Sequence, residues 1–398
     1  MSRPPNILWI VTTQWRAQAC GYAGDPNART PCLDALAAQS VNYTQAVTPH
    51  PFGPFARAAL LTGVPSPENG VRDYFDALPR ETRTIAHAMR ERGYATAFFG
   101  KWGVGKRDPR VPLVGEAAAR VIVPEGERGG YDFWEGFEGG FLLNDPWLHG
   151  TGLPQPVRVA GYQSDVVAAR AAERLGAAGP QPWFALVSFE APHPPYAAQA
   201  AGVAMRDHAT LILSDNVPRG GEAEARARAE LAGYYAHIEA TDRAVGKLIG
   251  SLAGDTIVVV TSVHGDMHGA HGLSRKGWPH EESVRVPLLV RLSGVAARRD
   301  ETAVSLLDLP EMTRAWADGR VWAEPREAAW ISMPSVVAPP HQCDRIWRGV
   351  RTATRKLVLN DDGSPWQFFD LANDPFERRN LALEPARVAE IAALRALL

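Results

Sequence analysis

Four short runs of consecutive apolar residues stand out along the chain, and each ends at a polar loop. Apolar residues without polar alternation are typical of strands that are buried on both faces of a parallel sheet. The runs predict central strands at residues 7–11, 96–99, 183–189 and 256–261. Between and beyond them, helix-like spacing predicts helices at residues 33–39, 58–61, 84–92, 165–175 and 223–251. This alternation indicates an α/β fold, in which ligands gather past the carboxyl ends of the strands.

Two other regions complete the predicted architecture. The Pro- and Gly-rich section at 107–161 predicts mostly loop with short elements. Near the C-terminus, residues 347–359 and 366–371 have the pattern of strands, and a final helix is predicted at 385–397. We therefore expect a large mixed, mostly parallel sheet flanked by helices in residues 1–325. A small C-terminal antiparallel sheet with a helix is expected in residues 326–398.

Composition narrows the class of protein. The chain has 398 residues, of which 45% are hydrophobic and 22% charged, enough to bury a large core. Its formal net charge of -2 gives no electrostatic support for nucleic-acid binding. Three cysteines without a CxxC spacing suit a reducing compartment. Neither a signal-type run nor a membrane-length apolar segment is visible, so we expect a soluble cytoplasmic protein that contacts no membrane.

Several short motifs occur in a fixed order along the chain. They are RAALLTG at 57–63, GYATAFFGKW at 93–102, APHPPY at 191–196, TSVHGDMHGAHG at 261–272 and EESVRVP at 281–287. In this order they resemble motifs of the sulfatase family, within the alkaline phosphatase-like superfamily. The resemblance runs nearly end to end and implies the α/β fold of that family.

The chain departs from the family at the positions that carry its chemistry. The family places Cys, matured to formylglycine, or Ser four residues before the arginine that matches Arg57. This chain has Gly53 there, or Phe52 if Ala56 is counted as an insertion, and neither side chain has a lone pair for nucleophilic attack. Three further departures are Thr13 and Val263 in place of acidic metal ligands and Gly103 in place of a histidine.

These departures change what the resemblance implies for the site. Ca²⁺ and Mg²⁺ need mostly anionic oxygen ligands, so we expect no metal and no other cofactor. The cationic and imidazole side chains of the family site are retained, and Arg and Lys donors attract anions. By resemblance, substrate binding is assigned to Arg57, Lys101, Gln14 and Thr13. Catalysis is assigned to His193, His264 and Lys276.

Other polar residues allow further interpretations. His264, His268 and His271 could form a new site for a softer metal such as Zn²⁺, although the glycines among them favour a loop. The hydroxyls of Thr12, Thr13, Thr48 and Ser262 could replace the nucleophile, but near strand ends such groups more often bond to the backbone. Asp266 matches an acidic family position that is not a usual ligand. We interpret His50, His280 and His341 as structural or surface residues.

Three hypotheses about function follow. The first is a repurposed enzyme that acts on an anionic small molecule as a transferase, lyase or condensation catalyst without metal. The second is a non-catalytic protein that binds an anionic ligand or a partner. The third is a sulfate, phosphate or phosphonate ester hydrolase with displaced catalytic groups. Selective retention of the cationic residues favours the first two, and the cost of burying cations without a ligand favours the enzyme.

Overall fold

Two sheets organise the molecule, which is described by a computed structural model covering residues 3–322, 326–336 and 342–398. The strands are β1 (Asn6–Thr12), β2 (Val41–Val47), β3 (Ala95–Lys101), β4 (Phe133–Phe137), β5 (Trp147–Gly150), β6 (Val157–Arg158), β7 (Trp183–Ser188), β8 (Thr256–Ser262), β9 (Leu288–Arg291), β10 (Arg298–Ser305), β11 (Ala329–Met333), β12 (Trp347–Arg351), β13 (Arg355–Asn360) and β14 (Pro365–Asp370).

Nine α-helices lie among the described residues. They are α1 (Pro31–Ala37), α2 (Gly53–Thr62), α3 (Ile85–Glu91), α4 (Glu116–Ala119), α5 (Gln163–Gly176), α6 (Glu222–Gly250), α7 (Glu281–Val284), α8 (Leu309–Ala317) and α9 (Val388–Arg395). All five helices predicted from the pattern are present, with ends that differ by a few residues.

The large sheet has ten strands in the order β10-β2-β9-β8-β1-β7-β3-β4-β5-β6. Its centre is parallel, because β1 pairs with β7 and β8, and β3 pairs with β7 and β4. Antiparallel pairs involve β9 and the β4-β5-β6 edge. Strands β11 to β14 form a separate antiparallel sheet. The predicted fold class is therefore confirmed, whereas the division of the chain at residue 325 stays a prediction.

Strand β1 shows why the centre of the sheet is recognisable from sequence. Ile7, Trp9 and Val11 face one hydrophobic core, and Leu8 and Ile10 face the other. Helices pack on both faces, so every residue of β1 is buried and no polar alternation remains. The polar residues that follow β1, β3, β7 and β8 are thereby brought to one edge of the sheet.

Two stretches differ from their predictions. The stretch predicted as a strand at 347–359 is a hairpin, in which a turn at 352–354 separates β12 from β13. The Thr352 hydroxyl accepts a hydrogen bond from the Arg355 N–H at 2.9 Å and closes this turn. The final helix at 385–397 is shorter than predicted, because Pro385–Arg387 is a 3-10 turn that precedes α9.

Candidate functional site

A cavity of about 780 Å³ opens where β1, β3, β7 and β8 end. Six of the seven candidate residues line it: Thr13, Arg57, Lys101, His193, His264 and Lys276. The seventh, Gln14, is fully buried and is hydrogen-bonded to Lys276. The section at 107–161 supplies a wall with Val111, Leu113, Val114 and Ile122 among its apolar side chains. The cavity therefore combines a polar floor with an apolar wall.

Lys276 lies in this floor without a carboxylate partner. Its Nζ donates to Gln14 Oε1 at 2.6 Å and lies 3.3 Å from His193 Nε2. Among the described residues no carboxylate oxygen lies within 4.0 Å of it. Burial lowers the pKa of Lys276 to about 7, with the positive charge of Lys101 adding to the effect and Asp266 partly opposing it. Near neutral pH this amine can therefore accept or donate a proton.

Lys101 lies across the same floor but is ion-paired. Its Nζ contacts Glu190 Oε1 at 2.5 Å, and both side chains are buried. Burial lowers the pKa of Lys101 to about 8, while the Glu190 charge works in the opposite direction. The Nζ also lies 4.8 Å from the centre of the Phe141 ring. Much of the positive charge that the sequence places here is thus neutralised inside the protein.

Arg57 is braced by the strand ends. Helix α2 carries it, with Pro54 in its first turn and Gly63 at its C-terminal end in a left-handed conformation. Arg57 donates through one terminal nitrogen to Lys101 O at 3.1 Å and Ser188 Oγ at 2.8 Å, and through the other to Thr13 Oγ at 2.7 Å. Its Nε is buried without a partner among the described residues. The guanidinium keeps donors for a ligand, but most of its hydrogen bonds are structural.

The position of Arg57 also accounts for Gly103. Gly103 has φ +68°, and a Cβ atom there would lie 2.7 Å from Arg57 Cδ. A histidine at this position would therefore need the arginine to move. Phe52 and Gly53, the two possible nucleophile positions, lie at the start of α2 on the cavity wall.

Two histidines in the floor have defined tautomers. His193 Nδ1 lies 2.8 Å from Pro194 O, so Nδ1 carries the proton and Nε2 faces Lys276 as an acceptor. Burial and the charge of Lys276 hold the pKa of His193 well below its usual value. His264 Nδ1 lies 2.9 Å from Gly265 O, and its buried Nε2 has no partner among the described residues. Phe141 stacks on His193 with ring centres 4.5 Å apart.

Gln14 connects the floor to a deeper carboxylate. Its Nε2 donates to Asp266 Oδ2 at 2.5 Å, and Tyr196 donates its hydroxyl to the same oxygen at 2.5 Å. Burial alone would raise the pKa of Asp266, but the neighbouring His268 and the charge of Arg275 hold it below its usual value. Asp266 therefore stays anionic and orients Gln14, which orients Lys276.

The donor atoms at the family's metal position do not suit Ca²⁺ or Mg²⁺. Thr13 donates its hydroxyl to Phe189 O, and Val263 is apolar. The Gln14 carbonyl oxygen accepts from Lys276, which leaves the His264 nitrogen. A hard divalent ion needs several oxygen ligands, mostly anionic, and these side chains do not supply them.

The three histidines of the 264–272 loop do not form one site. His268 packs on the Tyr234 ring at 4.2 Å, whereas His271 stacks on His280 at 4.3 Å. Within the described residues, the group with metal-ligand spacing contains His271 but neither His264 nor His268. The hypothesis of a three-histidine metal site is therefore wrong, because the glycines turn successive side chains to different neighbours.

The expectations for the hydroxyl groups and for His50 agree with the geometry. The hydroxyls of Thr12, Thr13, Thr48 and Ser262 all donate to backbone carbonyls. His50 is buried and accepts from the Ser66 N–H at 2.8 Å, a structural role. His341 lies outside the described residues.

Comparison with known proteins decides the family. The Sulfatase family model matches residues 5–319. The chain belongs to the sulfatase family. It is 32% identical to an ulvan-active sulfatase of Formosa agariphila, over 96% of this chain and 78% of that protein. It is 27% identical to a choline-sulfatase of Rhizobium meliloti, over 98% of this chain and 85% of that protein.

Solved structures show the same sulfatase fold. The yidJ protein of Bacteroides fragilis superposes with a TM-score of 0.86 at 23% identity, over 100% of this chain and 95% of that one. A phosphonate monoester hydrolase of Agrobacterium radiobacter gives 0.74 at 21% identity, over 99% of this chain and 96% of that one. Within the described residues, no helix combines the length and apolarity needed to cross a bilayer.

The sequence patterns did not assign three residues to the site, namely Glu190, Phe141 and Asp266 in its orienting role. Glu190 lies two residues after the end of β7, and an acidic residue near a strand end next to the APHPPY motif was the available signal. Phe141 comes from the section at 107–161, where no periodic pattern assigns a side chain to the cavity.

Proposed function

We propose that this sulfatase-family protein is a metal-independent enzyme that acts on an anionic small molecule in the cavity. The ligand would carry a carboxylate, phosphate or sulfate, and the reaction would differ from standard ester hydrolysis. Lys276 is the observation that carries the proposal. It is a buried amine that bonds only neutral groups, has a pKa lowered to about 7, and lies beside the His193 acceptor nitrogen.

The use of lysine in this chain supports a chemical role. Only five of its 42 basic residues are lysines, at positions 101, 106, 247, 276 and 356. Three of the five, Lys101, Lys276 and Lys356, are buried. Lysine loses its proton readily when buried, whereas arginine stays charged. In a chain that otherwise relies on arginine, an unpaired buried lysine at a cavity floor is the residue suited to acid-base work.

The proposed roles follow from which atoms remain free. Arg57 and Lys101 attract the anionic group of the substrate through donors that face the cavity. Lys276, as the neutral amine, removes a proton from the bound substrate, and His193 Nε2 accepts a hydrogen bond from the ammonium that forms. Proton removal of this kind serves lyase, transferase and condensation reactions. The apolar wall suits a substrate whose uncharged part is hydrophobic.

Ester hydrolysis is the competing function, because the most similar curated relatives include an ulvan-active sulfatase and a choline-sulfatase. It would need a nucleophile, and the hydroxyls of Thr12, Thr13, Thr48 and Ser262 each donate to a carbonyl oxygen. A non-catalytic role in ligand or partner binding is the other alternative, since the same cavity would serve it.

A thermal-shift titration with sulfate, phosphate and an aromatic carboxylate tests the proposal. At least one anion should stabilise the wild type by mass action. Lys101→Met should weaken the binding by about 1.5 to 3 kcal/mol, the range for hydrogen bonds to charged groups. Lys247→Met, which changes an exposed lysine, is the matched control.

Two experimental outcomes would contradict the proposal and favour another function. If no anion stabilises the wild type more than the double variant Arg57→Ala/Lys101→Ala, the cavity is not a binding site. A non-catalytic protein that acts through its outer surface then becomes the better account. Turnover of aryl sulfates or aryl phosphates well above background, abolished by removing one nearby hydroxyl, would establish displaced ester hydrolysis.

A further inference from the structure

Glu282 is a buried carboxylate without a cation partner. The residue is 4% exposed, and no Lys, Arg or His nitrogen among the described residues lies within 4.0 Å of its oxygens. Oε1 accepts from Asn216 Nδ2 at 2.7 Å, and the buried Oε2 has no partner. Burying an ionised carboxylate without a compensating charge is unfavourable, because the group loses its hydration and gains no opposite charge in return.

The adjacent Glu281 shows the opposite situation. Its carboxylate receives Arg351 at 2.9 Å, Arg285 at 3.1 Å and Lys356 at 3.3 Å. These three cations contact Glu281 and not Glu282. Lys356 also contacts Glu377. The lack of charge compensation is specific to one side of α7.

Asn216 lies on that side, and its amide nitrogen is surrounded by more acceptor atoms than it has hydrogens to donate. Its Nδ2 is within hydrogen-bond distance of Glu282 Oε1, His271 Nε2 at 3.1 Å and Phe376 O at 3.0 Å. An amide nitrogen has two hydrogens, so one acceptor is in excess. Asn216 Oδ1 is buried without a partner. Acceptors that converge in excess of donors are the environment of a cation.

Glu377 supplies a second carboxylate at the same point. Its Oε2 accepts the Glu281 N–H at 2.7 Å, and its Oε1 contacts Lys356. These contacts fix the orientation of the carboxylate, as hydrogen bonds to metal-ligating carboxylates commonly do. Each oxygen retains a further lone pair that can bind an ion. One ligand atom each from His271, Glu282 and Glu377 lies within 4.8 Å of the others.

We infer that His271, Glu282 and Glu377 bind a divalent transition ion of the Zn²⁺ or Mn²⁺ class. One imidazole and two carboxylates form a mixed nitrogen and oxygen set that suits these ions. Rotation of the Asn216 amide would add Oδ1 as a fourth ligand. None of these residues lines the large cavity, so the site is separate from the proposed catalytic floor.

The ion would join three parts of the chain. His271 belongs to the 264–272 loop that also holds Asp266, Glu282 belongs to α7, and Glu377 follows the last strand, β14. Binding free energy at such a site adds to the stability of the folded state. The ion therefore fastens the C-terminal segment to the loop that orients the cavity floor.

The test is metal uptake by the full chain after removal of metal with a chelator. Calorimetric titration with Zn²⁺ and with Mn²⁺ should show one ion bound per chain for at least one of them, with a higher melting temperature. Glu282→Gln and Glu377→Gln keep side-chain size and come from different segments, so one can be read if the other fails to fold. Each should weaken binding at least about tenfold, as changes around metal sites do.

His264→Ala is the matched control, because His264 belongs to the family's metal position and not to this cluster. Its ion binding should equal that of the wild type. The inference is overturned if the wild type takes up neither ion. It is equally overturned if uptake survives both glutamine variants and is lost in His264→Ala, which would place the ion in the cavity.

Discussion

Lys276 and Glu282 are two buried ionisable side chains, one basic and one acidic, in one segment that follows β8, and neither has a partner of opposite charge type within 4.0 Å among the described residues. Each lies near a paired counterpart of its own type, Lys101 with Glu190 and Glu281 with Arg351. For the paired members, the partner inside the protein compensates the buried charge. The unpaired members need another explanation, because a buried charge without compensation destabilises the folded state.

The two unpaired groups differ in how the imbalance can be relieved. Lys276 lines a cavity and can lose its proton, since its pKa is lowered to about 7 by burial. Glu282 lies outside the cavity and is surrounded by acceptor atoms with ligand spacing. The first arrangement suits proton transfer to and from a small molecule, and the second suits a bound ion.

The largest expected effect on the free energy of unfolding comes from breaking the buried ion pair of Lys101 and Glu190. Glu190→Ala would leave Lys101 buried without its partner and should lower the free energy of unfolding by about 3–5 kcal/mol, the range for breaking one half of a buried ion pair. Urea denaturation measures this change. Glu91→Ala, which removes an exposed pair with Arg83, is the control and should cost less than about 1 kcal/mol. Equal effects of the two variants would contradict the distinction between buried and exposed ion pairs, and with it the claim that Lys101 depends on Glu190.

A smaller effect concerns the pH dependence of stability. The pKa of Lys276 falls from 10.5 to about 7 on folding, so between these values the unfolded chain binds the extra proton. The destabilisation from this buried amine is therefore complete below about pH 7 and is relieved as the pH rises, by up to about 1.4 kcal/mol per pH unit. Relative to Lys276→Met, the wild type should gain unfolding free energy from pH 7 to 9. A difference that stays constant over this range would show that Lys276 keeps its proton.

A residue's role could be predicted from the sequence where it depends on the pattern of neighbouring residues, and not where it depends on contacts with distant segments. The strand β1 and the helix α6 were predictable, because burial on both faces and helical spacing leave continuous signals. The residues around the cavity followed from short motifs at strand ends. Glu190 had a signal in its position near a strand end, although its pairing with Lys101 is visible only in the structure. Asn216 and Glu377 could not be placed, because their roles come from contacts between segments far apart in sequence.

The state of Lys276 can be measured directly, because the chain has only five lysines. In protein labelled with ¹³C at the lysine side chains, the resonance that is absent from Lys276→Met should titrate near pH 7. It should move to higher pH when a binding anion is added, since a nearby negative charge favours the ammonium. A resonance that titrates above about pH 9, close to the usual range for lysine, would contradict the account of Lys276 as the acid-base group of this site.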